Sequence, residues 1–372
     1  MSIGSRVNAA LAAVNVQFVR KTGLERLRLL EQEFQALLSE YQALKSRYER
    51  LSDRLHLSDP PFDQQTSQAS RPTADLPDGA SYLLIPSNTR LTDLVQRYRS
   101  INHPVMASSL WTDAFVQQEV DLYRFRANKT YLSPLELDTN LHYALYAYYL
   151  KSIDGLELLD RLREDRLFGA ATINVSGRPV SQDFLDAIAE IYFLERHLAL
   201  SQRTQFNLLH IGAGYGRLAH WMVQAFPKLG KVFCTDAIAT FSFLSEYYLK
   251  FRGVDQLAIT VPFDELRATL TQQAIQVAIN IRTFSESPVE AILGWVDLLT
   301  EFKVPYLMLI PDPGDHQGTR LLSYEKDQSR IDYQPLLEAR GYHLIAHDPK
   351  FLDPTVQANG ISPTYHFLFQ RR

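Results

Sequence analysis

Three glycines, Gly212, Gly214 and Gly216, stand between an apolar run and a run able to coil into a helix. Residues 207–220 read N-L-L-H-I-G-A-G-Y-G-R-L-A-H. Glycine lets the backbone approach a ligand closely, and the first amides of a new helix point free N–H groups at it. A strand that breaks on glycines and resumes as a helix therefore makes an anion-friendly pocket. Spacing narrows the ligand. A dinucleotide fingerprint, G-x-G-x-x-G, needs its third glycine at position 217, and that residue is Arg217. Asp236 closes the next apolar run, 20 residues past the last glycine. A strand–helix–strand unit delivers a carboxylate to ribose hydroxyls at about that distance. Gly212, Ala213, Gly214, Tyr215 and Gly216 thus read as a cofactor loop and Asp236 as its ribose ligand, against the alternative of a structural turn. Two further residues carry groups able to take a proton from a hydroxyl. Glu286 follows the fourth apolar strand, and it also suits the first turn of a helix starting near Val289. His316 lies in P-D-P-G-D-H, after the fifth strand. Asp312, Asp315 and His316 have the donors of a metal site. Their spacing matches no established metal signature, so the aspartates are read as turn caps and no metal is expected.

The elements that must hold these residues alternate beyond Phe206. Strands are expected at 207–211, 231–234, 257–261, 276–281, 306–310, 342–347 and 364–370. Helices are expected between them, including 217–225, 237–252, 289–302 and 333–339. This order implies an α/β fold with a seven-stranded, doubly wound, Rossmann-like sheet. The last two strands are close enough in sequence to pair as an antiparallel hairpin at the sheet edge. Ligands in such sheets sit beyond the carboxyl ends of the strands.

The chain divides into four stretches. Residues 24–57 place Leu27, Leu30, Phe34, Leu37, Tyr41, Leu44, Tyr48, Leu51 and Leu55 at alternating steps of three and four. That is a heptad seam, so 1–57 is expected to be an amphipathic helix forming a coiled coil and a homodimer, or else a helix folded back on its own body. Residues 58–80, rich in Pro, Ser, Gln and Asp, read as a flexible linker. Residues 81–200 are mostly helical, with apolar periods at 91–98, 111–123, 141–151 and 184–198. Residues 201–372 form the cofactor-binding domain. Four tyrosines within 143–149 either line a sugar pocket or form a half-buried helix face. Arg124, Arg126 and Lys129 either meet a phosphate or lie on a solvated helix face.

Composition sets outer bounds. The 372 residues carry a net charge of −4, which gives no reason to expect nucleic acid or an anionic membrane. Cys234 is the sole cysteine, so no internal disulfide forms, in keeping with a cytoplasmic location. No apolar run approaches the roughly 20 residues of a transmembrane helix. An arginine and an alanine-rich run near the N-terminus look like a secretory leader. Asn8, Asn15 and Gln17 interrupt that run, so an amphipathic helix is expected there.

The G-x-G-x-G spacing is similar to the loop of S-adenosylmethionine-dependent methyltransferases. From about Val120 onward the chain resembles the sugar O-methyltransferases found among bacterial surface-polysaccharide genes. The resemblance rests on H-I-G-A-G-Y-G-R-L-A, on R-P-V-S-Q-D-F-L-D-A-I-A-E-I-Y-F-L (178–194), on F-L-S-E-Y-Y-L (243–249) after Asp236, and on R-T-F-S-E-S (282–287). Two positions depart from the family pattern. His210 replaces the acid usual two residues before the first glycine, and Ser287 replaces the methionine usual after the glutamate. The resemblance implies S-adenosyl-L-methionine as cofactor and a saccharide or glycoconjugate hydroxyl as acceptor. It puts His210 at the methionine end of the cofactor, where its ring N–H substitutes for the acid or the site is weak. It puts Asp264 near the adenine amino group, unless that residue merely serves a turn. Glu286 or His316 takes the acceptor's proton. A degenerate scaffold in a glycan-assembly complex, and a methyltransferase for a non-sugar metabolite or lipid, are the competing readings.

Overall fold

The computed structural model describes residues 75–127, 137–314 and 316–372. The heptad stretch, most of the linker, Lys129 and Asp315 lie outside the described residues, so the coiled coil and the homodimer rest on the sequence alone. Seven strands form one sheet. They are β1 (Leu208–Ile211), β2 (Val232–Thr235), β3 (Ala258–Thr260), β4 (Val277–Ile281), β5 (Tyr306–Ile310), β6 (Tyr342–Pro349) and β7 (Tyr365–Arg371). Their spatial order is β3-β2-β1-β4-β5-β7-β6. The first five run parallel, and β7 pairs antiparallel with both β5 and β6. Every residue of β1 and β2 is buried. Parallel strands are covered on both faces, which is why these segments read as unbroken apolar runs rather than alternating ones. Leu208 sits opposite Val232 on one side and Val277 on the other, so β1 is the central strand where the winding reverses. Open α/β sheets bind their ligands at that reversal.

The helices are α1 (Thr89–Arg99), α2 (Asp113–Glu119), α3 (Leu137–Ile153), α4 (Gln182–Leu198), α5 (Arg217–Ala225), α6 (Ala239–Phe251), α7 (Phe263–Gln272), α8 (Val289–Glu301) and α9 (Gln334–Glu338). The helical spacing expected over 111–123 extends only through α2, because Val120 leaves the helix in an extended conformation. The helical region does not stand apart from the sheet. One continuous hydrophobic core includes Leu94 and Tyr98 of α1, Leu185 and Ile188 of α4, and Leu208 of β1. Gly294 in α8 lets the chain at Pro104 and Val105 approach closely, since a Cβ there would lie 3.1 Å from each. None of the four tyrosines stands as a free aromatic face. Tyr143, Tyr146 and Tyr149 are buried, and the Tyr148 hydroxyl lies 3.1 Å from that of Ser176.

α4 positions the site. Ser181 caps it, accepting from the Phe184 N–H at 3.0 Å, which satisfies one of the amides a helix start leaves open. Phe184, Leu185, Ile188, Ile191 and Leu194 are buried along it, each stabilising the helix by about 1.5–3 kcal/mol. Arg126 holds the chain just ahead of this cap. It is neither a phosphate ligand nor part of a solvated face. Its side chain is 1% exposed and ion-paired with Glu164 at 2.6 Å and Asp165 at 2.7 Å. A buried guanidinium demands such partners, and these lie about 40 residues away in sequence, beyond the reach of local patterning.

Candidate functional site

The glycine loop turns between β1 and α5 with φ of +64° at Gly212, +56° at Gly214 and +86° at Gly216, all in the region that excludes most side chains. Two of these glycines answer different needs. A Cβ on Gly212 would fall 2.1 Å from the Thr283 Oγ1, so the loop lies flat against the chain leaving β4. A Cβ on Gly214 would meet nothing within 4 Å, so this residue borders open space. Gly216 starts α5 with no side-chain cap, leaving helix amides free for a ligand. Asn280 ties the neighbouring strand ends, donating to the Ile211 carbonyl at 3.0 Å and accepting from the Phe284 N–H at 3.0 Å.

Asp236, just past β2, accepts from the Gly214 N–H at 3.1 Å and the Ile238 N–H at 3.0 Å. Burial pushes its carboxyl up to about 7. Those two amides oppose the shift, and nearby Glu286 adds to it. The loop and the strand-end carboxylate are therefore in contact, with open space beside Gly214. That arrangement fits a nucleoside-bearing cofactor.

A recess of about 200 Å³ extends from the loop under α4, along the ends of β1, β4, β5 and β7. Its lining is dominated by charge. α4 contributes Asp183, Asp186 and Glu190, and the opposing cations are Arg217, Arg282 and Lys350. Asp186 pairs with Lys350 at 2.6 Å and accepts from the Tyr146 hydroxyl at 2.9 Å. Despite burial, Lys350 with Arg282 and Arg217 holds the Asp186 carboxyl below its usual range. Glu190 pairs with Arg217 at 2.7 Å, yet burial raises its carboxyl to about 7. Asp183 accepts from the Tyr215 hydroxyl at 2.6 Å. His210 and His366 also line the recess, and burial pushes both imidazoles down to about 3, so both are neutral. Arg282, immediately after β4, has φ +65°. A non-glycine residue held there costs about 1–3 kcal/mol, a strain that clusters at functional sites.

The remaining sequence candidates lie elsewhere. Glu286 is partly buried and accepts from the Trp111 indole N–H at 2.7 Å. Burial raises its carboxyl, the indole opposing. Trp111 packs edge-on against Phe115 and Phe241, the latter five residues past Asp236. Asp264 is in the first turn of α7, and its carboxylate is taken up by Arg97 at 2.6 Å. The Nδ1 of His316 accepts from the Gly318 N–H at 3.1 Å within its own turn. Neither Asp264, Glu286 nor His316 lines the recess. Among the described residues no group of three or more His, Cys, Asp or Glu side chains is arranged to hold a metal ion. None of the described helices is long and apolar enough to cross a membrane.

Sequence reading passed over the α4 carboxylates, Lys350, His366 and Trp111. For α4 a signal existed. Asp183, Asp186 and Glu190 are spaced three and four apart, which puts three acids on one face of an otherwise apolar helix.

No family model matches this sequence, and no curated protein matches it. Solved structures overlay in part. An S-adenosylmethionine-dependent methyltransferase from Aquifex aeolicus shares 15% identity over 49% of this chain and 88% of its own, with a TM-score of 0.35. Magnesium protoporphyrin IX methyltransferase from Synechocystis, with bound S-adenosylmethionine, shares 12% over 64% and 99%, with a TM-score of 0.37. The [4+2]-cyclase SpnF overlays to the same degree, with 15% identity over 63% and 94% and a TM-score of 0.35. Overlays this loose carry no argument about activity, and the fold rests on the strand order itself.

Proposed function

We propose that this chain is an S-adenosylmethionine-dependent O-methyltransferase acting on a hydroxyl of a saccharide or glycoconjugate. The observation that carries the reading is the glycine loop at the central strand, hydrogen-bonded through Gly214 to Asp236 at the end of the next strand. Bound S-adenosylmethionine supplies an electrophilic methyl group on a sulfonium. The amides of the loop and of α5 hold the cofactor, and Asp236 accepts from the ribose hydroxyls. The recess suits a small polar group such as the amino-acid end of the cofactor. At about 200 Å³ it falls below the roughly 300–1,000 Å³ of pockets for drug-sized ligands, and Ile281 and Ile310 are its only large aliphatic side chains. Charged and hydroxyl groups there can orient the cofactor and exclude water, and such positioning is where methyl transfer gains much of its rate. Glu286 is the candidate proton acceptor, since burial raises its carboxyl and so makes it a stronger base.

Calorimetric titration of the full chain with S-adenosylmethionine tests the reading. Saturable binding is expected, and Gly214→Arg, whose side chain projects into the open space beside the loop, is expected to abolish it. No binding at millimolar ligand would sink the enzyme reading and leave the scaffold one. Trp111 offers a second check. Trp111→Phe removes a hydrogen bond to a carboxylate worth about 1.5–3 kcal/mol, so its thermal midpoint is expected to drop by a few degrees. Of the three tryptophans, Trp221 and Trp295 are buried in the core. Any emission change on titration with S-adenosylhomocysteine is therefore expected to vanish in Trp111→Phe. A change that persists undiminished would remove Trp111 from the site.

A further inference from the structure

The residue at position 210 raises a question of charge. By the resemblance to methyltransferases it stands where an acid helps hold the methionine end of the cofactor, which carries an ammonium group. His210 is 3% exposed, neither ring nitrogen has a partner among the described residues, and the neutral imidazole carries no charge to offer. A buried ammonium needs an anion, because an unpaired charge in a low-dielectric site is costly.

The recess contains three carboxylates, and they differ in what they have left to give. Asp183 is engaged by the Tyr215 hydroxyl. Asp186 accepts from Lys350 and Tyr146 at Oδ1 and from the Gln182 amide at Oδ2, 3.4 Å away. Glu190 uses one oxygen on Arg217, while its Oε2 is buried and has no partner among the described residues. A buried acceptor left unsatisfied costs about 1–3 kcal/mol, which a ligand's N–H group would relieve. Glu190 and His210 line the same recess as Gly212 and Gly214. Arg282 lines it too, and its charge suits a carboxylate. The recess therefore offers both signs to a zwitterion.

Building on the methyltransferase reading, we infer that Glu190 of α4 holds the ammonium group of the cofactor's amino-acid end, in place of a strand-end acid at position 210. The negative charge has moved from the strand to the helix above it. His210 is left as a neutral hydrogen-bonding neighbour.

The test is a set of calorimetric titrations with two ligands. S-adenosylmethionine carries the amino-acid end, and 5′-methylthioadenosine lacks it. Glu190→Gln keeps the shape and the Arg217 contact. It is expected to weaken S-adenosylmethionine roughly tenfold to hundredfold, the loss of one hydrogen bond to a charged group. The 5′-methylthioadenosine affinity is expected to hold. Adding His210→Asp to Glu190→Gln returns a carboxylate to the strand and is expected to restore much of the loss. Unchanged S-adenosylmethionine affinity in Glu190→Gln would overturn the inference. So would an equal loss for both ligands, which marks Glu190 as a support for Arg217 and the fold. A wild-type chain that binds only 5′-methylthioadenosine would overturn it too, while leaving a nucleoside site. A wild-type chain that binds neither ligand removes the methyltransferase reading, and this inference with it.

Discussion

Asp236→Ala is expected to weaken S-adenosylmethionine binding by roughly a hundredfold or more, since two charge-assisted hydrogen bonds of about 1.5–3 kcal/mol each are lost together. The same change strips the Gly214 and Ile238 amides of their acceptor, so the loop loses its anchor as well as its ligand contact. Asp236→Asn removes the charge and keeps one side-chain oxygen, so only one of the two amides loses its acceptor. The pH dependence follows from the carboxyl at about 7, against its ordinary value of 3.8. Between those values the folded chain holds a proton that the unfolded chain has lost. The contribution of Asp236 to stability therefore falls as pH rises from about 4 to about 7, by a few kcal/mol at most. The melting point of Asp236→Asn relative to wild type is expected to rise between pH 5 and pH 8. Binding runs the other way. The ionised carboxylate is the form that accepts from two hydroxyls, so affinity is expected to drop as pH falls below about 7. Calorimetry from pH 5.5 to 8.5 reads both trends. An Asp236→Ala protein that binds like wild type would falsify the ribose assignment.

The five parallel strands were legible because a parallel sheet buries both faces, so each strand writes itself as an apolar run closed by polar residues. Residues 217–225 were legible as α5 for a related reason, with glycine before and an amphipathic period within. The loop and Asp236 could be paired from spacing, since a strand–helix–strand unit has a nearly fixed length. What sequence cannot carry is docking between distant elements. Asp264 stands after the third strand, where an adenine contact was expected, but α1 packs nearby and Arg97 occupies its carboxylate. Lys350 follows the end of β6 and His366 sits on β7, at the antiparallel edge where a charge normally faces solvent. They line a recess only because α4 covers them. The α4 acids were there to be noticed, but recognising one acidic stripe on a buried helix requires knowing that the helix is buried. Trp111 and Glu286 are 175 residues apart, and no periodic signal links them.

The same limit applied to Arg126, whose substitution is expected to have the largest effect on stability. Its side chain and that of Glu164 are 1% and 0% exposed, and they meet at 2.6 Å. Removing the cation leaves a carboxylate buried without compensation, a loss of about 3–5 kcal/mol. Arg126→Met keeps most of the volume and isolates that loss, which denaturant melts will read as a lower midpoint at unchanged slope. Glu164→Gln added to Arg126→Met is expected to recover part of it, because the buried charge is then gone as well. The effect reaches the site through α4. Glu164 hydrogen-bonds the Ser181 hydroxyl, which caps the helix that presents Asp183, Asp186 and Glu190. Asp165, the other partner of Arg126, also binds Arg252 at the end of α6, at 2.5 Å. Arg126 thus ties the start of the carboxylate helix to the helix that follows Asp236. Arg126→Met is therefore expected to lower S-adenosylmethionine affinity as well as stability, even below the temperature at which the chain melts. A stability within about 1 kcal/mol of wild type would show the pair to be replaceable, as some buried ion pairs are by apolar residues of similar volume. In that case the position of α4 is held by its apolar face alone.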